Sequence, residues 1–100
     1  MTVKHIVLWK LKATDELEKA EAIARITQLL NGLVGRVESI RSLTVGVNGA
    51  YPETNSDISV VADFDDYEGV QAYQVHPDHQ EVAAEIRTLV ASRAGIDFEY

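Results

Sequence analysis

The stretch from Val3 to Leu11 does most to restrict how this chain can fold. Its residues alternate as a strand does, yet both faces are apolar. Val3, His5, Val7, Trp9 and Leu11 lie on one face, and Ile6 and Leu8 lie between Lys4 and Lys10 on the other. A strand with two apolar faces belongs in the middle of a sheet, with something covering each side. The chain has 100 residues, enough for one domain, so residues 1–100 read as a single unit with a modest core.

The remaining elements follow from caps and periodicity. Thr14 reads as an N-cap, with Asp15, Glu16 and Glu18 in a first turn where acids favour the helix dipole. Leu17, Ala20, Ile23, Ala24, Ile26, Leu30 and Leu33 recur at helical spacing, and Gly32 and Gly35 offer two stops. A second strand is expected over Val37 to Val47, then a loop from Asn48-Gly49 to Ser56. The third strand spans Asp57 to Phe64, with Ile58, Val60, Ala62 and Phe64 on one face and Val61 on the other. Asp65 or Asp66 caps a short helix over Tyr67 to Gln74, with Glu68 three residues after Asp65 resembling a capping box. A further helix runs from Pro77 to about Ser92 and buries Val82, Ala83, Ile86, Leu89 and Val90. Gly95 ends it, and Ile96, Phe98 and Tyr100 alternate with Asp97 and Glu99 in a last strand.

The order β-α-β-β-α-β is that of an α+β, ferredoxin-like sandwich, with helices on one face of a four-stranded antiparallel sheet. Ile6, Leu8 and Val61 would then sit bare on the other face. A small protein rarely leaves such a patch in water. Two sheets meeting face to face would cover it, so a homodimer through the sheet faces is expected.

Bulk properties narrow the function. Net charge is 9 − 16 = −7 without a basic block, so neither nucleic acid nor an anionic membrane is an expected partner. No cysteine is present, which removes disulfides, thiol catalysis and thiolate metal sites. No apolar run approaches the ~20 residues of a membrane span, and no signal-peptide pattern is seen, so a cytoplasmic location is expected. Glycine-rich phosphate loops, nucleophile elbows and dinucleotide fingerprints are missing, and no cofactor is expected.

The chemistry-bearing stretch is Tyr73-Gln-Val-His-Pro-Asp-His79. Pro77 suits the first position of a helix, which puts His79 in the first turn, near free backbone N–H groups and the positive end of the dipole. That setting disfavours imidazolium and leaves His79 able to accept a proton, although it could equally cap a local backbone group. Tyr73 could donate to a developing enolate oxygen, or pack the short helix on the sheet. His5, on an apolar face, is a third candidate, although a histidine so placed is more often a satisfied core residue than a catalyst. His76 sets the turn before Pro77. Val7, Trp9, Val60 and Ile26 could line a pocket or serve as core. The acids Asp63, Asp65, Asp66 and Glu68 read as caps and solvated turn, and Pro77 keeps His76 from sharing a helical face with His79, so no metal site is expected.

Lys4-His-Ile-Val-Leu-Trp-Lys-Leu-Lys12, Val70-Gln-Ala-Tyr-Gln-Val-His-Pro-Asp-His79 and the closing Ile96-Asp-Phe-Glu-Tyr100 resemble the stress-responsive A/B barrel (Dabb) family along essentially the whole chain. The resemblance implies a dimeric α+β barrel. Among the family's members is a plant polyketide cyclase that works with a tyrosine and a histidine in a cavity between sheet and helices. Those positions match Tyr73 and His79, and its first-strand histidine matches His5. The implied function is cofactor-free acid–base (cyclase- or lyase-like) chemistry on a small apolar or carbonyl-containing ligand in an apolar cavity. Other members imply a non-catalytic stress or ligand-binding role, and the shared barrel also hosts cofactor-independent monooxygenases. The first long helix here departs from the cyclase, offering Ile23, Ala24, Ile26 and Thr27 but no aromatic residue. The cyclase's own substrate is therefore not implied.

Overall fold

The computed structural model describes residues 1–100. Its elements are β1 (Val3–Leu11), α1 (Glu16–Asn31), β2 (Ser42–Val47), β3 (Ile58–Phe64), α2 (Tyr67–Val75), α3 (Pro77–Leu89) and β4 (Val90–Glu99). The strands form one antiparallel sheet in the order β2-β3-β1-β4, so the two-faced first strand is central. Helices cover one face, giving an α+β, ferredoxin-like sandwich. Seventeen buried apolar residues make one core cluster between the layers, among them Val3, Ile26, Ile58, Val60 and Phe64.

Several expected boundaries move, each for a local physical reason. Asp15 rather than Thr14 caps α1, its carboxylate accepting the Glu18 N–H at 2.8 Å. The second strand begins at Ser42, not Val37. Val37 instead folds back under the end of α1, donating to the Leu33 carbonyl at 3.0 Å and burying its side chain beside Leu33. Gly35, at φ +88°, makes that reversal possible, because a left-handed backbone suits a residue without Cβ. Asp57 leaves β3 to tie β1, accepting the Leu11 N–H at 2.8 Å while its own N–H donates to the Trp9 carbonyl at 2.8 Å. Asp66 caps α2 through the Gly69 N–H at 2.8 Å, which frees Asp65 for a two-pronged pair with Arg41.

The largest revision is at the C-terminus. The helical pattern was expected to run to about Ser92 and stop at Gly95. The chain turns at Leu89, and Val90 to Glu99 become the partner of β1. Without this strand, one edge of the central β1 would leave its N–H and C=O groups unpaired in the interior, which outweighs the weak helical preference of Val90-Ala-Ser. A register shift between Lys10 and Leu11 absorbs one extra residue. Gly95 lies mid-strand, opposite Val7.

Candidate functional site

The site begins where α2 breaks into α3. His76 precedes a proline and is extended, with φ −63° and ψ 132°. Its ring Nδ1 accepts the Asp78 N–H at 3.1 Å and caps α3, so His76 is committed to the turn, as the sequence reading has it. One turn on, His79 places Nδ1 3.3 Å from the Gln74 carbonyl oxygen. A carbonyl only accepts, so Nδ1 holds the proton and Nε2 keeps a free lone pair. Burial holds the His79 pKa below its ordinary 6.5. The bond to Gln74 works against this, and the charges of His5, Arg87 and Arg93 add to the depression. The direction agrees with the dipole argument, but loss of hydration is the main cause.

A pH effect on stability follows. Unfolded His79 titrates near 6.5 and folded His79 lower, so between the two values the unfolded chain binds more protons. Its contribution should be complete above about pH 6.5 and decline as pH falls through the folded value. Urea titrations from pH 5 to 8 should show this slope in the wild type and a shallower one in His79→Gln.

Tyr73, on α2, is 1% exposed, with its ring centroid 4.1 Å from that of His79, 5.7 Å from His5 and 5.3 Å from Phe64. Burial pushes its pKa up to about 12, so the hydroxyl stays protonated at neutral pH and can only be a donor or a neutral acceptor there. The hydroxyl makes no hydrogen bond within the chain. His5 is buried at 3% exposure, and its Nδ1 lies 2.5 Å from the Asp97 carboxylate on the adjacent strand. The carboxylate accepts, which fixes the Nδ1–H tautomer and leaves the His5 Nε2 free.

These groups wall a cavity of about 700 Å³ between α2–α3 and the β1–β4 half of the sheet. His5, Tyr73 and His79 line it together, with Val7 and Val60 as apolar floor. Trp9 and Ile26, the other two candidate lining residues, do not reach it. Both belong to the closed core, at 7% and 0% exposure, and α1, which carries Ile26, contributes no residue to this wall. The wall is also more polar than expected. Only five of its eleven residues are hydrophobic, and Gln74, Gln80, Arg87 and Arg93 supply much of the rest.

Asp97, Arg87 and Arg93 were missed as site residues. Taking Gly95 as a helix end hid the alternation Arg93-x-Gly95-x-Asp97, which puts all three on the helix-side face of β4. Extending the last strand back through Gly95 places Arg93 and Asp97 on one face, while their position opposite β1 is set only by the sheet register.

The profile of the Stress responsive A/B Barrel Domain family matches residues 3–100. Among solved structures, the chain is similar to a dimeric protein of unknown function with a ferredoxin-like fold from Bacteroides fragilis. The two are 30% identical with a TM-score of 0.87, covering 99% of this chain and 96% of that one. A dimeric ferredoxin-like protein of unknown function from Thermobifida fusca is 29% identical, with a TM-score of 0.83 over 100% and 92% of the two chains. A hydroxynitrile lyase from Passiflora edulis shares the fold at 14% identity and a TM-score of 0.71, over 97% and 91%. No curated protein matches the sequence.

Proposed function

The chain belongs to the stress responsive A/B barrel domain family, and from that premise we propose that it is a homodimeric, cofactor-free acid–base catalyst acting on a small carbonyl compound. His79 takes a proton from the carbon next to the carbonyl, and Tyr73 donates a hydrogen bond to the enolate oxygen that develops. His5, oriented by Asp97, is a second imidazole that can hold or return the proton. One observation carries this reading: a neutral histidine with a free Nε2 shares an open cavity with a buried tyrosine whose hydroxyl has no partner in the chain. The match of Tyr73 and His79 to the working pair of the family's plant cyclase, and of His5 to its first-strand histidine, supports it.

The test is proton exchange. Simple ketones and diketones incubated with the protein in D₂O, followed by proton NMR, should lose signal at the carbon beside the carbonyl. Wild-type protein that accelerates exchange in none of them would leave a ligand-holding role instead.

The homodimer rests on the sheet face away from the helices. Ile6 and Val61 are half-buried there, directly opposite each other, while Leu8, Ile96 and Phe98 are 40%, 57% and 38% exposed. At one end of this stripe Asp63 accepts the Tyr100 hydroxyl at 2.6 Å and the Ser42 hydroxyl at 2.7 Å, and pairs with Lys4 at 3.2 Å. An apolar stripe with a polar border is the make-up of an interface, and several similar structures are described as dimeric. Light scattering should give a dimer for the wild type and a folded monomer for Val61→Lys. A wild-type monomer at micromolar concentration would refute the dimer without touching the catalytic reading.

A further inference from the structure

We infer that the compound bound in this cavity carries a carboxylate as well as a carbonyl, and that Arg87 and Arg93 hold the carboxylate. The inference rests on the acid–base reading above and names its substrate class.

The chain has five arginines. Three are paired with acids: Arg25 with Glu85, Arg36 with Asp78 and Arg41 with Asp65. Arg87 and Arg93 make neither an ion pair nor a hydrogen bond, and both line the same cavity as Tyr73 and His79. Shortage of acids is not the reason, since 16 carboxylate side chains face nine basic ones. Asp97, the acid nearest along β4 on the same face, is engaged by His5. Both side chains are exposed and neither is committed to a partner, so two guanidinium forks on one concave wall stand ready for an anion.

Gly95 contributes to this placement. A Cβ built there would lie 3.3 and 3.4 Å from the two Nη atoms of Arg93 and 3.4 Å from the Ile6 carbonyl oxygen. The bare glycine therefore lets the Arg93 side chain lie flat along β4 toward the His5–Asp97 pair. Arg87 approaches from the last turn of α3. A guanidinium fork matches the two oxygens of a carboxylate, which a single ammonium group would not. With the carboxylate at the arginines and the carbonyl at Tyr73, the ligand is an oxo acid. Binding would also neutralise positive charge near His79, which favours the protonated state it reaches after accepting a proton.

The experiment uses matched probes: phenylpyruvate, 3-benzoylpropionate and 4-benzoylbutyrate, each against its methyl ester. Affinities are measured by calorimetry on wild type, Arg87→Gln, Arg93→Gln and Arg93→Lys, with thermal melts confirming that each variant folds. At least one acid should bind about tenfold more tightly than its ester, a preference of about 1.4 kcal/mol. Arg93→Gln should remove most of that preference, and Arg93→Lys, which keeps the charge but not the fork, should retain part of it. Every acid binding no better than its ester, or a preference untouched in both glutamine variants, would overturn the inference. The same samples in D₂O report proton exchange separately. Preference without exchange would sustain the carboxylate site and defeat the base assignment; exchange without preference would do the reverse.

Discussion

Replacing His79 by glutamine should slow enzyme-dependent proton exchange by ~10²–10⁴-fold, the usual contribution of a positioned general base. Glutamine can still donate to the Gln74 carbonyl, so the turn between α2 and α3 should persist while the basic Nε2 is lost. Tyr73→Phe removes one donor to the enolate oxygen and should cost ~10²–10³-fold in rate. Because the Tyr73 hydroxyl has no partner in the chain, its removal should hardly change the melting temperature. The pH profile separates the two roles. His79 is a base only when neutral, and its pKa lies below 6.5, so the rate should stay level through neutrality and fall only in the acid range. Tyr73 at about 12 sets no alkaline limit near neutral pH. Retention of wild-type exchange in both variants would remove them from the chemistry.

Phe64→Ala should cost about 3–5 kcal/mol of stability. Phe64 is fully buried at the end of β3, with its ring 5.3 Å from Tyr73 and 6.2 Å from His5, and its side chain approaches Gly69 in α2. The cavity left by alanine cannot collapse easily, since two strands and the α2 backbone frame it. Against a typical total of about 5–15 kcal/mol, such a loss would bring the chain near its unfolding threshold at 37 °C. Urea denaturation should show a much lower midpoint with an unchanged slope, and Phe64→Leu should recover most of the loss. A cost under about 1 kcal/mol would mean that this corner is loosely packed, contrary to the observed burial. The same substitution should also lower exchange activity, because Phe64 supports the rings of Tyr73 and His5.

The element order was legible because the signals are local. Alternation marks β1 and β3, acids mark the starts of α1 and α2, and Pro77 marks the start of α3. His76 as a turn residue and His79 as a neutral imidazole followed from the same local grammar. Boundaries failed where tertiary demands override propensity. Val37 was drawn under α1 by burial, and Val90 to Gly95 were drawn into the sheet because β1 needs a second edge partner. That one error concealed Arg93. Trp9 and Ile26 show the opposite limit, since periodicity says that a side chain faces inward but not whether it meets a neighbour or a cavity.

What the amino-acid order determined by itself was the sequence of elements, the central place of the first strand and the proline break that sets His79 in the first turn of α3. These depend on contacts within a few residues, where backbone sterics and hydrophobic period dominate. Only the folded chain decided that His5 meets Asp97, that Arg87 and Arg93 stay unpaired beside the same hollow, and that Gln74 and Gln80 make its helix side polar. Those facts join residues up to 92 positions apart, and they turn on which strand hydrogen-bonds to which edge of β1. Register across a sheet is settled by the sum of many weak pairings, so no single stretch of sequence carries it.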